Sequence, residues 1–209
     1  MSSVTLLRVY PGGVLEMKDN NQRNLNAASH DTKELIKREF LKEYHEKSLE
    51  KIKVSVLVSA CNISRGTFYF YFTDVQRLYK ECEQDIIGFM EEGMNEIIMS
   101  TIRGNSKRHI DLYAAYLERY IPKKDLLKDF IAGSEAVSFH EALTKSVYDS
   151  YISLLEFSSE IPESHKNMMA LYHSNGWASV LSAWVENGCV VPARQVSEIL
   201  SRALFKGIY

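Results

Sequence analysis

The chain has 209 residues, 45% of them hydrophobic and 25% charged, with a net charge of −2. That is one large domain or two small ones, with enough apolar material for a substantial core and the balance of a soluble globular protein. A membrane protein is excluded on this reading, because no apolar run approaches the roughly 20 residues a spanning helix needs.

The opening "MSSVTLLRVYPGG" lacks the basic-then-apolar layout of a secretory signal. Three cysteines, Cys61, Cys82 and Cys189, are odd in number and scattered in spacing. They make neither a disulfide framework nor a metal pattern, so a reducing cytoplasm is the expected home. Four prolines and ten glycines punctuate the chain sparsely and favour long helices. Charge is uneven: residues 30–80 carry ten Lys/Arg against seven Asp/Glu, and residues 81–209 carry twelve against eighteen. A basic front before an acidic body points to an anionic partner for the front.

Residues 1–29, with the polar "KDNNQRNLNAAS", predict a flexible N-terminal arm. Asp31 or Thr32 can cap a helix in which Leu35, Ile36, Phe40, Leu41 and Tyr44 recur at helical spacing, ending near Ser48. In "KIKVSVLVSACN" the alternation from Ile52 to Val56 is compatible with a strand. Ser55 could equally cap a short helix over 56–61 with Leu57, Val58 and Cys61 inward. No partner strand is signalled elsewhere, which favours the helix. Asn62 tolerates the left-handed conformation and can turn the chain, and Ser64 is placed to cap the next helix, "RGTFYFY". There Phe68 and Phe72 are four apart and share a face, leaving Arg65, Thr67, Tyr69 and Tyr71 to point elsewhere.

Residues 53–72 therefore predict helix, tight turn, helix: the helix-turn-helix layout, whose second helix meets base edges in the major groove. Phe68 and Phe72 anchor that helix. Arg65 can read guanine, Gly66 permits close backbone approach, and the Tyr69 and Tyr71 hydroxyls can reach phosphates. Beyond it, helices are expected at about 75–102, 107–120, 123–130, 134–157, 163–187 and 193–206. Their boundaries fall at Gly104-Asn105, Pro122, Glu160-Ile161-Pro162 and Asn187-Gly188 with Pro192.

The segment "KIKVSVLVSACNISRGTFYFYFTDVQRLY" (Lys51–Tyr79) resembles the DNA-binding domain of the tetracycline-repressor (TetR) family. The family pattern is a Thr/Val-rich second-helix start, then "G-V/I-S-x-G-T-F-Y-x-H/Y-F", then "D-K-x-x-L". The match covers residues 31–80. It departs at three places: Asn62 stands for the turn glycine, Val56 for an acidic residue, and Val75 for a lysine after the Asp.

The resemblance implies an all-α fold, with a three-helix DNA-binding domain at 30–80 and an all-helical ligand-binding and dimerisation domain at 81–209. It implies a homodimer on a palindromic double-stranded DNA operator, most simply a repressor, released by a small-molecule effector, with no cofactor and no enzymatic role. Carried across, Lys53 and Ser55 match phosphate contacts at the start of the second helix. Ser64, Arg65, Gly66, Thr67 and Phe70 fall at the groove-facing part of the recognition helix, and Tyr69 and Tyr71 match its phosphate-contacting pair.

In the body, Gly176, Ser179, Ala183 and Trp184, with Ile199 and Ala203 of the closing helix, match the family's dimer seam, where small residues let helices approach. Tyr113, Tyr116 and Tyr120 form an aromatic stripe that Phe139, Tyr172 and His173 can join as an effector pocket, with His109, Phe130 and His140 as further candidates. No His-x-x-x-His or similar metal spacing is present, nor a nucleophile elbow, phosphate loop or paired-carboxylate motif. The competing reading is a protein of the same fold that sits on DNA but answers to partner proteins instead of a small ligand.

Overall fold

The computed structural model describes residues 20–156 and 161–206, with side chains from Ser29 onward. Among them, helices α1 (Asn20–Glu46), α2 (Val54–Ala60), α3 (Arg65–Tyr71), α4 (Val75–Glu91) and α5 (Met94–Ile102) build the first half. Helices α6 (Ser106–Glu118), α7 (Lys124–Ala132), α8 (Ala136–Leu155), α9 (Glu163–Glu186) and α10 (Ala193–Phe205) build the second. The fold is all-α, and no described residue forms a strand.

Helix α1 starts at Asn20, earlier than the cap at Asp31 or Thr32 allows, so the last ten residues of the expected arm are helical. The reason is local: no proline or glycine lies between Asn20 and Glu46, and extending an existing helix costs far less than nucleating one. The rest of the arm, residues 1–19, lies outside the described residues. Ile36, Phe40 and Tyr44, each four apart, form the buried stripe of α1. They meet Leu57 of α2, Phe68 of α3, Phe72 and Leu78 in one core.

Ser55 does not cap α2. The N-cap position is Lys53, and its backbone carbonyl takes the first bond, from the Val56 N–H at 3.0 Å. Asn62 does turn the chain, at φ 52°. Ser64 caps α3 as its position predicts, its Oγ accepting from the Thr67 N–H at 3.0 Å.

Helix α4 runs unbroken across position 80/81, so the boundary drawn there falls inside a helix. It ends at Glu91, and Gly93, whose φ of +88° disfavours any side chain, splits the single expected helix 75–102 into α4 and α5. The remaining helices lie within two residues of the expected limits. In the body, α8 packs along α9, and α10 packs along α6. Ser197 Oγ donates to the Ile110 carbonyl at 2.7 Å, and Arg194 reaches Asp111 at 2.7 Å.

Front and body are joined through aromatic rings. Tyr44 (α1) lies 5.5 Å from Tyr79 (α4), Tyr79 5.4 Å from Phe130 (α7), and Phe130 5.5 Å from Phe139 (α8). The chain turns beneath Tyr44 at Gly133, where a Cβ would fall 2.0 Å from the Asp129 carbonyl oxygen. Beside it, His45 of α1 pairs with Asp129 of α7 at 3.0 Å, which raises the imidazole pKa. No helix among the described residues is long and apolar enough to cross a membrane.

Candidate nucleic-acid interface and buried cavity

Helix α3 has seven residues and two unlike sides. Phe68 is fully buried, and the Phe72 ring lies 5.8 Å from it on the same inward face. Opposite, Arg65 and Gly66 are exposed, and Tyr69 and Phe70 are 54% and 77% exposed. A phenyl ring that open adds little to the protein's own core; its ring contact is with Tyr71, edge-on at 5.0 Å. No carboxylate among the described residues pairs with Arg65 or Lys53, so both cations are available to an outside anion. Thr67 is half-buried, its hydroxyl 2.9 Å from Ser64 Oγ. Lys53 and Ser55 are exposed at the start of α2, beside the tight turn.

Tyr71 is the exception in the predicted set. It is half-buried, and its hydroxyl donates to Ser29 Oγ of α1 at 3.1 Å. Two residues beyond Tyr69 on a helix is about 200° of rotation, which turns Tyr71 back toward α1. Its hydroxyl oxygen keeps a lone pair, but the ring is not free.

The predicted pocket residues divide. Tyr113, Tyr172 and His173 line a cavity of about 190 Å³, and so does His109. Tyr116, Tyr120 and Phe139 do not. Tyr116 is buried with its hydroxyl donating to the Met90 carbonyl at 2.6 Å, and the Tyr120 hydroxyl lies 3.5 Å from the same oxygen. Phe139 belongs to the aromatic join described above, and Phe130 with it. His140 lies on a separate surface groove between α8 and α9. The stripe Tyr113–Tyr116–Tyr120 is real as a stripe, but only its first turn faces the cavity.

The sequence reading missed Met94 and Ile97 of α5, Tyr151 of α8, Trp177 and Val180 of α9, and Leu200 and Leu204 of α10, and it assigned Gly176 and Ala203, which also line the cavity, to the dimer seam alone. The spacing of His109 and Tyr113, four apart on α6, was the available signal. The rest come from four other helices and carry no common pattern.

Within the cavity wall, Tyr151 and His173 stack at 5.0 Å and 7°. Three buried polar atoms have no protein partner: His109 Nδ1, the Tyr113 hydroxyl and Trp177 Nε1. All three belong to residues of this one cavity. Burial strips water from the charged imidazole of His109 and pushes its pKa down to about 4, with repulsion from His173 adding to the effect. Burial lowers His173 as well and raises the Tyr113 phenol. Both imidazoles are therefore neutral near pH 7.

This makes a stability prediction. The unfolded chain binds a proton at His109 below about pH 6.5 that the folded chain refuses until about pH 4. Unfolding thus takes up a proton in that window, and stability falls as pH drops through it, by about 2–3 kcal/mol at pH 4.5. Urea melts at pH 7.5 and pH 4.5 check this: His109→Gln loses less stability between the two than the wild-type chain does.

Of the residues expected at a dimer seam, Gly176, Ser179 and Ala183 are exposed along one stripe of α9 that continues to Met168 (74%) and Tyr172 (71%). Ile199 and Ala203 are exposed on α10. Trp184 is not part of that face. It is 6% exposed inside its own chain, with its indole N–H donating to the Val191 carbonyl at 2.7 Å. One residue from Ala183, it points about 100° away. Among the described residues no three His, Cys, Asp or Glu gather closely enough to hold a metal ion.

A capped helix with a solvent-facing flank on a three-helix unit, joined to a helical body with a cavity, is the layout of helix-turn-helix transcriptional regulators. A TetR-type family model, "Transcriptional regulator C-terminal region", matches residues 112–206. The fold is also that of Thermus thermophilus FadR, a TetR-family transcriptional repressor solved in complex with lauroyl-CoA. That match has a TM-score of 0.51 and 18% identity, over 85% of this chain and 95% of that one. Salmonella enterica GusR matches at a TM-score of 0.44 and 15% identity, over 84% of this chain and 96% of that one. No curated protein matches in sequence. The second half of the chain is thus similar to the C-terminal region of TetR-type transcriptional regulators, and the whole chain has the fold of a solved TetR-family repressor.

Proposed function

We propose that two copies of this chain bind a palindromic operator in double-stranded DNA as a repressor, and that a small molecule entering the cavity of the body releases them. The observation that carries the DNA half is the outward flank of α3. Arg65, Gly66, Tyr69 and Phe70 are exposed on a helix whose other side is held by Phe68 and Phe72. On this reading residues 30–80 are the reading unit and 81–209 the controlling body. Lys53, Ser55 and Tyr69 take phosphates, Arg65 and Thr67 approach bases, and Ser64 holds the start of the helix in shape.

The body offers an exposed stripe on α9 for a second copy, Met168, Tyr172, Gly176, Ser179 and Ala183, with Ile199 and Ala203 on α10. Exposed apolar surface of this kind favours association, and two-fold symmetry would present two copies of α3 to two half-sites. Helix α8 touches both parts of the machine: Tyr151 lines the cavity, and Phe139 sits in the aromatic join to α1 and α4. A ligand that displaces α8 would bias the placement of α4 and α3, provided it binds one arrangement better than the other.

The coenzyme part of lauroyl-CoA, the ligand found in the Thermus protein, does not suit the inside of this cavity. None of the residues lining the cavity is Lys or Arg, which the phosphates of a coenzyme would require.

Selection of bound sequences from a random DNA pool tests the reading. The expected product is a palindrome of two half-sites about one helical turn apart. Ser179→Glu, which sets a charge in the middle of the α9 stripe, should give a monomer that selects at most a single half-site, with a melting temperature near wild type. A wild-type chain that enriches no sequence, or a single unrepeated site, would overturn the proposal.

A further inference from the structure

We infer that the cavity between α5, α6, α8, α9 and α10 takes an uncharged, single-ring aromatic molecule carrying a hydrogen-bond-accepting oxygen, of the aryl ketone, aldehyde or ester class. This rests on the reading of that cavity as the effector site and names what the site selects.

Four observations converge. The first is the donors. Trp177 Nε1–H can only donate, and the Tyr113 hydroxyl, buried as a neutral phenol, donates as well. Both are buried without a partner in the chain, as is His109 Nδ1, which donates or accepts according to tautomer. Buried donors left unpaired are rare and costly. All three belong to lining residues but are sealed from water in this arrangement, so the occupant that pairs with them is an acceptor whose entry turns these side chains toward the cavity.

The second is charge. The lining contains no Lys, Arg, Asp or Glu, and burial disfavours protonation of both histidines. An anionic or cationic ligand would enter without a counter-charge, and that penalty is large in an apolar site. The third is shape. Tyr151 and His173 lie nearly parallel, 7° apart, and Trp177 sits in the same wall. Flat rings beside a cavity favour a flat guest, through offset or edge-on packing. The fourth is size. A cavity of about 150 Å³ is enough for benzene, and this one, at about 190 Å³, adds room for one small substituent.

Calorimetry on the full chain, without DNA, separates these requirements with three probes of equal heavy-atom count. Acetophenone has the ring and the acceptor. α-Methylstyrene keeps the shape and replaces the carbonyl oxygen with a CH₂ group. Benzoate keeps the ring and adds a charge. Acetophenone should bind at least roughly tenfold tighter than either of the others. Tyr113→Phe and Trp177→Phe keep a ring in place, and melting curves report whether each variant folds. Each should lower acetophenone affinity by roughly 3–10-fold, the worth of one hydrogen bond, and Tyr113→Phe, which removes only the hydroxyl, should leave α-methylstyrene affinity unchanged.

Equal affinity for ketone and hydrocarbon would overturn the inference, because ordered water would then be satisfying the donors. Benzoate binding tightest, or no binding of any probe at millimolar concentration, would also overturn it. Operator release is measured separately. Acetophenone that binds as expected but leaves the selected DNA bound supports the ligand class and sinks the regulatory reading. Release by some other compound, with none of these probes binding, does the reverse.

Discussion

Arg65→Ala and Tyr69→Ala should each cut affinity for the selected operator by at least about thirtyfold while barely moving the melting temperature. A base-edge or well-placed phosphate contact is worth about 1–3 kcal/mol, and a symmetric dimer loses each contact twice, about 2–6 kcal/mol in all. The two variants should differ in kind. Removing Arg65 should relax base preference within the half-site, and removing Tyr69 should weaken all sequences alike. Folding is spared because Arg65 is exposed and Tyr69 is half out of the surface, touching Phe68 only edge-on at 5.6 Å. Binding measured at one fixed salt concentration, beside thermal melts, decides it. Unchanged affinity in both variants would remove α3 from the interface.

Phe68→Ala should act in the opposite order, on stability first and DNA second. The ring is fully buried and packs in the same core as Phe40, Leu57 and Phe72. Truncating a buried Phe costs about 3–5 kcal/mol, a large share of the stability of an ordinary domain. A seven-residue helix has no stability of its own. Losing its anchor should therefore release α3 and the turn before it, while the Tyr79–Phe130–Phe139 cluster holds the body together. Hydrogen exchange should show early loss of protection over 54–72 with protection retained in α8 and α9. Operator binding should be lost with it. A variant with wild-type exchange across α3 would show that Phe68 is not the anchor.

The two experiments use the two sides of one helix, and this explains why the helix-turn-helix segment was legible in the sequence. Its signals are all short-range. Ser64 reaches Thr67, Asn62 turns on its own φ, Phe68 and Phe72 are four apart, and Asp74 caps α4 through the Arg77 N–H at 2.7 Å. None of these needs knowledge of another part of the chain. The same local logic misplaced the start of α1, because polar Asn-rich sequence reads as coil unless the helix behind it is already nucleated. It overlooked the break at Gly93, since a lone glycine in a helical pattern is weak evidence until its φ is known.

The cavity was only partly legible. His109 and Tyr113 were within reach because they are one turn apart on α6. Tyr116 and Tyr120 looked equivalent to Tyr113 in sequence, but their hydroxyls face the Met90 carbonyl. Trp184 looked like a seam residue because small residues flank it, but its indole is committed to Val191.

By itself, then, the sequence determined the helical class, the helix limits to within a few residues across most of the chain, and the two unlike sides of α3. Each of these is decided by interactions between residues one to four apart. Only the tertiary structure decided that α10 lies on α6 and α8 on α9, which hydroxyls and ring nitrogens end in one cavity, and which aromatics are structural. Those outcomes depend on contacts such as Ser197 to Ile110, made across long stretches of chain. Their partners are selected by how whole helix faces pack, and no local pattern records that choice.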